Sequence, residues 1–302
     1  MTSRMRAITL SIATAIAAGS IGAAPAHAAT DGNYNYYPVT GGVIIGNWVG
    51  SSANCPSTLS IPTTLGGSTV VAIDFRAFAD AGCLSATGAT KEIVVPASIT
   101  TIGAEAFAYN AGLQRITFLG DPGSLPTKAF LGDVALTRIV FRSGGPAYVS
   151  DTFSGVPSAA QVFYQKGTTL HSGAAWPATY DGRSTYVLPE FGVAGLRAGQ
   201  VSRKSKRVYF FPTVGTNAYG TAYLVVYAKV KKSGRTYTKL MCSGMVAMTA
   251  DSAANMQCSS AAARTLVRKG KTKFYARLTF VQSGSGFTTA PITKTVTIKR
   301  KR

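Results

Sequence analysis

From residue 90 to residue 164 the hydrophobic positions recur in a fixed order. Ile93, Ile116, Ile139 and Val162 are each 23 residues apart, and so are Phe107, Phe130 and Phe153. Two units, Leu113 to Phe118 and Leu136 to Phe141, share the pattern Leu-x-x-Ile-x-Phe. Alternating apolar residues of this length predict a short strand with one inward face. An Ala-Phe pair (Ala106-Phe107, Ala129-Phe130) or Thr152-Phe153 closes each unit after a Gly or Pro turn. Upstream, Ile73 to Phe78 matches Ile102 to Phe107. The wider gap there, 29 residues between Phe78 and Phe107, implies a six-residue insertion placed at Leu84 to Ala89. A single such unit cannot bury its apolar face. Stacked copies bring Ile under Ile and Phe under Phe, which predicts a solenoid.

After Pro189 the 23-residue phase stops. Apolar and β-branched runs at Val208 to Val214, Thr221 to Val230, Tyr237 to Met248, Lys273 to Val281 and Ile292 to Ile298 read as strands. Turns are expected at Lys231 to Arg235, with Ser-Gly at its centre, at Lys269 to Lys271 and at Gly284 to Gly286. Such a string of strands predicts a β-sandwich that loosely resembles immunoglobulin-like or fibronectin type III modules. Tyr275 is a candidate tyrosine-corner residue or an ordinary strand tyrosine. The expected fold is mainly β: a short leucine-rich-repeat solenoid of about four 23-residue units, then the sandwich. The expected boundaries are 1–28 for a signal peptide, 29–192 for the repeats with their caps and 193–302 for the sandwich.

At the repeat residues the chain resembles the BspA-like leucine-rich repeat family of bacterial surface proteins. Ile93, Val95, Pro96, Ile99, Ile102, Gly103, Ala106 and Phe107 fall on that family's pattern. Ile61, Pro62, Val70, Ile73 and Phe78 look like the opening repeat, with Tyr37 to Val49 as a preceding strand cap. Tyr164 to Trp176 resembles the closing segment of such arrays, which implies a strand followed by a short helix near the Trp. The likeness covers roughly Asn35 to Val187. It departs where Leu119 and Arg142 replace the proline after the strand, and at Thr152-Phe153. The resemblance implies a surface role for the repeats.

The first residues read as an export signal. Arg4 and Arg6 precede an apolar stretch from Ala7 to Ala18, and Ala26-His27-Ala28 offers a cleavage site after Ala28. No later run is long and apolar enough to suggest a transmembrane helix. The expected location is extracellular, with non-covalent attachment to the cell wall. Four cysteines, Cys55, Cys83, Cys242 and Cys258, suit an oxidising compartment. Two lie in each segment, which favours Cys55–Cys83 and Cys242–Cys258, but three pairings are open from sequence. No metal site and no cofactor is expected, because no C-x-x-C occurs and His171 is the one histidine left after cleavage.

Charge separates the two halves. Residues 29–192 carry 8 Lys+Arg against 10 Asp+Glu, a net −2. Residues 193–302 carry 21 Lys+Arg against Asp251 alone, a net +20. The bases cluster at Arg203, Lys204, Lys206 and Arg207; at Lys231, Lys232 and Arg235; at Arg268, Lys269, Lys271 and Lys273; and at Lys299, Arg300, Lys301 and Arg302. A surface kept only for solubility mixes signs, and unbalanced charge repels itself. An anionic partner is therefore expected: cell-wall polymer or another extracellular polyanion, with nucleic acid as a non-specific option. No recognition-helix or zinc-finger pattern accompanies the charge.

Catalytic motifs are not evident, and the chain is expected not to be an enzyme. It carries neither a G-x-S-x-G elbow nor a Walker-type loop, and Glu92, Glu105 and Glu190 show no acid–base spacing. Asp133 and Asp151 fall in repeat turns, where Asp commonly stabilises the turn. The positions between core residues on the repeat strands should face outward together. They are Glu92 and Val94, Arg115 and Thr117, Arg138 and Val140, and Gln161 and Phe163, a ladder able to present a protein- or glycan-binding face. The leading expectation is a secreted adhesion protein whose basic half docks on an anionic surface. The alternatives are a structural module of an extracellular assembly and a wall hydrolase using His171.

Overall fold

A computed structural model describes residues 28–51, 55–147, 149–199, 207–269 and 272–298. The expected signal, and Arg203, Lys204, Lys206, Lys271, Lys299, Arg300, Lys301 and Arg302, lie outside the described residues, apart from Ala28 at the end of the signal.

The 23-residue recurrence becomes a parallel sheet. Its strands Thr58–Ser60, Glu92–Val95, Arg115–Phe118, Arg138–Phe141, Gln161–Tyr164 and Arg183–Val187 lie side by side in that order, and Thr179–Tyr180 closes the edge antiparallel. The register runs Leu59–Ile93–Ile116–Ile139–Val162–Thr185, one residue from each strand. All but the last are buried apolar side chains. The Ala-Phe anchors stack in parallel with them. Ring centroids step from Phe78 to Phe107 by 5.7 Å, to Phe130 by 5.5 Å and to Phe153 by 5.5 Å. Trp48 covers this stack at one end and Tyr180 at the other. Those two end rings shield apolar faces that the next repeat would otherwise bury.

A second sheet forms the N-terminal cap. Tyr34–Val39 and Gly42–Trp48 make an antiparallel hairpin, and Ser68–Ile73 runs parallel to its second strand. The expected insertion begins in a 3-10 turn, Gly82–Leu84, whose Cys83 is bonded to Cys55. At the other end the expected short helix is absent. The stretch from Gly167 to Trp176 is turns, held by the Thr168 hydroxyl on the Gln165 carbonyl and by the Trp176 ring stacked on Tyr164 at 4.9 Å. Glycines at positions 167 and 173 take positive φ, which a helix would not allow.

The repeats turn through two left-handed residues each. The first position is Arg76, Glu105, Lys128 and Asp151, two residues before each stacked Phe, with φ from 52° to 61°. The second is Asp80, Tyr109, Gly132 and Gly155. The later repeats thus meet the second turn with glycine, which has no Cβ to strain there.

The basic half folds around a separate core. One sheet joins Phe191–Gly199, Val208–Thr216, Ser252–Asn255 and Cys258–Ser260. The other orders Arg235–Met248, Gly220–Lys232, Thr272–Gln282 and Ile292–Ile298, all antiparallel. Alternate residues Ala222, Leu224, Val226 and Ala228 face Phe274, Ala276, Leu278 and Phe280 inside, together with Val208, Phe210 and Val214. Cys242 is bonded to Cys258 and ties the two sheets together. Both cysteine pairs are therefore the within-half pairs, in keeping with an oxidising compartment. The helix Ala261–Arg268 has no counterpart among the expected elements. Ser260 caps it by accepting the Ala263 N–H at 3.0 Å, and Ala263 and Val267 enter the core.

Candidate anion-binding surface

The register of the sandwich fixes where its basic clusters sit. At one end of the large sheet Gly220 pairs with both Met248 and Gln282. That end meets the repeats: Gln282 Nε2 donates to the Val187 carbonyl at 2.9 Å, and Asn217 Nδ2 donates to the Leu188 carbonyl at 3.2 Å. At the opposite end Lys232 pairs with Arg235, Ala228 with Phe274, Thr272 with Ile298, and Val208 with Ser260. Arg207, Lys231, Arg235, Arg268, Lys269 and Lys273 therefore all gather at the pole away from the repeats. The side chain of Lys232 is not described. Described residues of three clusters, far apart in sequence, are made neighbours by strand pairing.

The pole has no local counter-charge among the described residues. Asp251, the one acid of this half, pairs at the junction end with Lys166 of the last repeat turn. Arg207 is held in place by the Ser259 hydroxyl, which accepts from its Nε at 2.9 Å. The tip between Lys232 and Arg235 is a two-residue turn in which Ser233 and Gly234 both have positive φ, as the Ser-Gly signal predicts.

The expected ladder on the repeat strands is corrected by the same structure. Glu92, Val94, Arg115 and Gln161 remain partly exposed, with Arg115 3.5 Å from Glu92 and the Thr117 hydroxyl 3.3 Å from Glu92 Oε1. Thr117 itself is buried. Val140 and Phe163 are not an open face either. They are buried in a small separate core with Leu188, against which Tyr186 and Phe287 pack. The cause is the hairpin tip at Gly284 to Phe287, which lies on the outer side of the last repeat strands. Arg138 stacks over the Phe287 ring at 5.2 Å. Burial, and secondarily the neighbouring Arg115 charge, lower its pKa. An apolar pair at positions 140 and 163, where earlier strands carry Val94 and Thr117, was the available signal for a covered surface. The chain leaves the repeat sheet at Val187 and enters the sandwich at Phe191, just ahead of the expected boundary.

Tyr275 is not a corner residue. It lies on the outward face of the large sheet, its ring stacked on Tyr227 at 5.3 Å. Lys229 Nζ and Lys273 Nζ sit 5.5 and 5.4 Å from the centre of the Tyr275 ring. Sequence reading placed Lys273 in a turn cluster and did not single out Lys229 or Tyr227. The strict in–out alternation of Gly220–Lys232 was the signal that would have put Tyr223, Tyr227 and Lys229 on one face.

His171 meets an acid. Its Nδ1 is 2.9 Å from Asp121 Oδ2, beside an open hollow of about 330 Å³ that Ser143, Thr168 and Thr169 also line. Asp121 in turn accepts the Gly123 N–H at 2.8 Å, and the His171 N–H donates to the Gly145 carbonyl at 2.6 Å. These bonds tie three stacked turns of the array together. No hydrogen bond joins Ser143 to His171 among the described residues. Asp133 also departs from the turn role: it is fully buried, with its Oδ1 accepting the Asn110 N–H at 2.7 Å and its Oδ2 unpaired.

No family model matches the chain. No curated protein matches it. Solved structures do. A leucine-rich repeat protein from Bacteroides capillosus is 19% identical over 46% of this chain and 98% of its own, at a TM-score of 0.33. One from Bacteroides ovatus is 19% identical over 47% of this chain, at a TM-score of 0.33. The leucine-rich repeat protein of T. pallidum is 20% identical over 44% of this chain, at a TM-score of 0.29. The chain spans 40% of the B. ovatus protein and 62% of the T. pallidum protein.

Proposed function

We propose that this chain is a secreted, wall-associated binding protein of the BspA-like kind, with no enzymatic activity, anchored by its basic half to an anionic polymer outside the cell. The observation that carries the reading is the pole of the sandwich. Six described cations from three separate segments converge there, and the one acid of that half is engaged at the far end. Crowded like charge raises the energy of the folded state, and an anionic partner offsets it. The repeats then act as the outward-facing unit. Glu92, Val94, Arg115 and Gln161 are the part of the ladder left open for a protein or glycan ligand. Two disulfides favour an oxidising location for such a protein.

The test is sedimentation of the chain from Ala29 to Arg302 with isolated cell-wall material over a range of salt. Retention at low salt that falls steeply with ionic strength is expected, since contacts to phosphate or carboxylate groups release counterions. Failure to bind wall polymer, heparin or DNA at low salt overturns the reading. A structural module of an extracellular assembly would instead show self-association at working concentration.

The His171–Asp121 pair favours a second reading, a wall hydrolase. Clearing of wall polymer in a gel, lost in His171→Ala, would support it.

A further inference from the structure

Resting on the polyanion reading above, we infer that Lys229 and Lys273, gathered over the Tyr275 ring, form the oxyanion site of the surface. Its occupant is a phosphodiester polymer without bases, lying across the outward face of the large sheet.

The pairing puts the two lysines opposite each other. Tyr227 pairs with Tyr275 and Ala228 with Phe274, so Lys229 falls beside Lys273 on the same face one step further on. Like charges across a strand pair repel. Here both ammonium groups approach the negative face of one ring, which holds them together and lessens the repulsion. Tyr227 stacks on Tyr275 and fixes the ring. Two cations gathered around one ring, with no carboxylate paired to either among the described residues, present a site for a tetrahedral anion. Thr295 and Thr297, paired with Tyr275 and Lys273, add hydroxyl donors alongside, and exposed Arg277 continues the charge along the same strand. Lys231 continues it toward the basic pole on the neighbouring strand.

At this pair the geometry disfavours base stacking. Single-strand binders stack bases on open aromatic faces. Tyr227 and Tyr275 face each other, and the lysines occupy the Tyr275 ring, so this pair offers a base little free face. The favoured chemistry is phosphate on a flexible backbone.

The experiment uses the chain from Ala29 to Arg302 and fluorescent poly(glycerol phosphate). Lys229→Gln/Lys273→Gln should weaken binding by about tenfold or more, as expected for losing charge-assisted hydrogen bonds. It should also reduce the log–log salt slope by roughly 2. Arg197→Gln/Lys294→Gln removes the same charge from exposed positions outside both the pole and this site and should weaken binding by only about twofold to threefold, as for solvated rim charges. Tyr275→Ala keeps every charge and should still weaken binding, while Tyr275→Phe should not. Equal losses in the two double variants would show a diffuse charge effect and overturn the site, leaving the docking function in place. If the unaltered chain ignores the polymer and other polyanions, the docking function itself fails. Tighter binding to oligothymidylate of equal charge than to poly(glycerol phosphate) would overturn the partner class.

Discussion

Phe287, at a hairpin tip of the basic half, lies 5.0 Å from Phe163 on the outer side of the last repeat strand. This contact joins two units with separate cores, and with Val140, Tyr186 and Leu188 it forms a third. Phe287→Ala should therefore act on coupling as well as stability. It should cost about 2 kcal/mol from lost burial. Cleavage near Leu188 to Glu190, where the chain crosses between units, should accelerate in limited proteolysis. Denaturant unfolding should separate into two transitions. A single unchanged transition would show that the polar contacts of Gln282 and Asn217 hold the units without it.

The left-handed turns give an opposing pair of expectations. Lys128 adopts φ 61° and Gly132 φ 78° in the same repeat. A left-handed side-chain-bearing residue costs roughly 1–2 kcal/mol, and Gly gives back part of that through its unfolded-state entropy. Lys128→Gly should leave stability unchanged or raise it by up to about 1 kcal/mol. Gly132→Ala should lower it by about 1–2 kcal/mol, because its Cβ would also press on the Tyr109 ring at 3.0 Å. Equilibrium denaturation reads both. A loss on Lys128→Gly equal to that on Gly132→Ala would show that turn conformation is not what limits these sites.

Disulfide removal should weaken the two units independently. Cys55–Cys83 closes 28 residues and Cys242–Cys258 closes 16. The chain-entropy account gives about 3–4 kcal/mol for either loop. Cys55→Ala/Cys83→Ala should lower the melting temperature of the repeats and leave polyanion binding intact. Cys242→Ala/Cys258→Ala should loosen the sandwich and reduce polyanion binding. Calorimetry beside the wall-sedimentation assay separates the two outcomes, and binding lost equally in both variants would contradict this division.

The repeat was legible because its signal is repetition: Ile93 to Val162 and Phe107 to Phe153 mark the same two core columns in every unit. The strands of the large sheet were legible as apolar and β-branched runs, and Ser233-Gly234 from the φ a tight hairpin requires. What stayed hidden depends on pieces far apart in sequence. The closure over Val140 and Phe163 is made by Phe287, more than a hundred residues later. The basic pole is assembled by strand register, which a charge run does not reveal. The helix Ala261–Arg268 is short and carries Ala, Thr and Arg with few apolar anchors, so its burial pattern is weak in the sequence. His171 met Asp121 because neighbouring repeats stack, a relation that spacing alone does not define.

Asp133 offers the sharpest test of repeat packing through pH. It occupies the position 23 residues after Asn110, whose amide donates to the Phe78 carbonyl at 2.9 Å and also to that of Phe107. Asp133 keeps the accepting half of that arrangement and lacks the donating half when ionised. Burial pushes its pKa up to about 9, and the Asn110 N–H offsets only part of the effect. In the unfolded chain the group titrates near about 4. Between these values the folded state holds a proton that the unfolded state has lost. The contribution of Asp133 is therefore fully present below about pH 4 and declines as pH rises, until the folded group titrates near 9. Asp133→Asn supplies the donor at every pH. It should raise stability at pH 7 by about 2–4 kcal/mol, because folding obliges Asp133 to take up a proton at that pH and Asn need not. It should also flatten the stability profile between about pH 5 and pH 9. Denaturant midpoints for both chains across that range decide the matter: parallel profiles would show that the Asp133 carboxyl titrates as an exposed acid does.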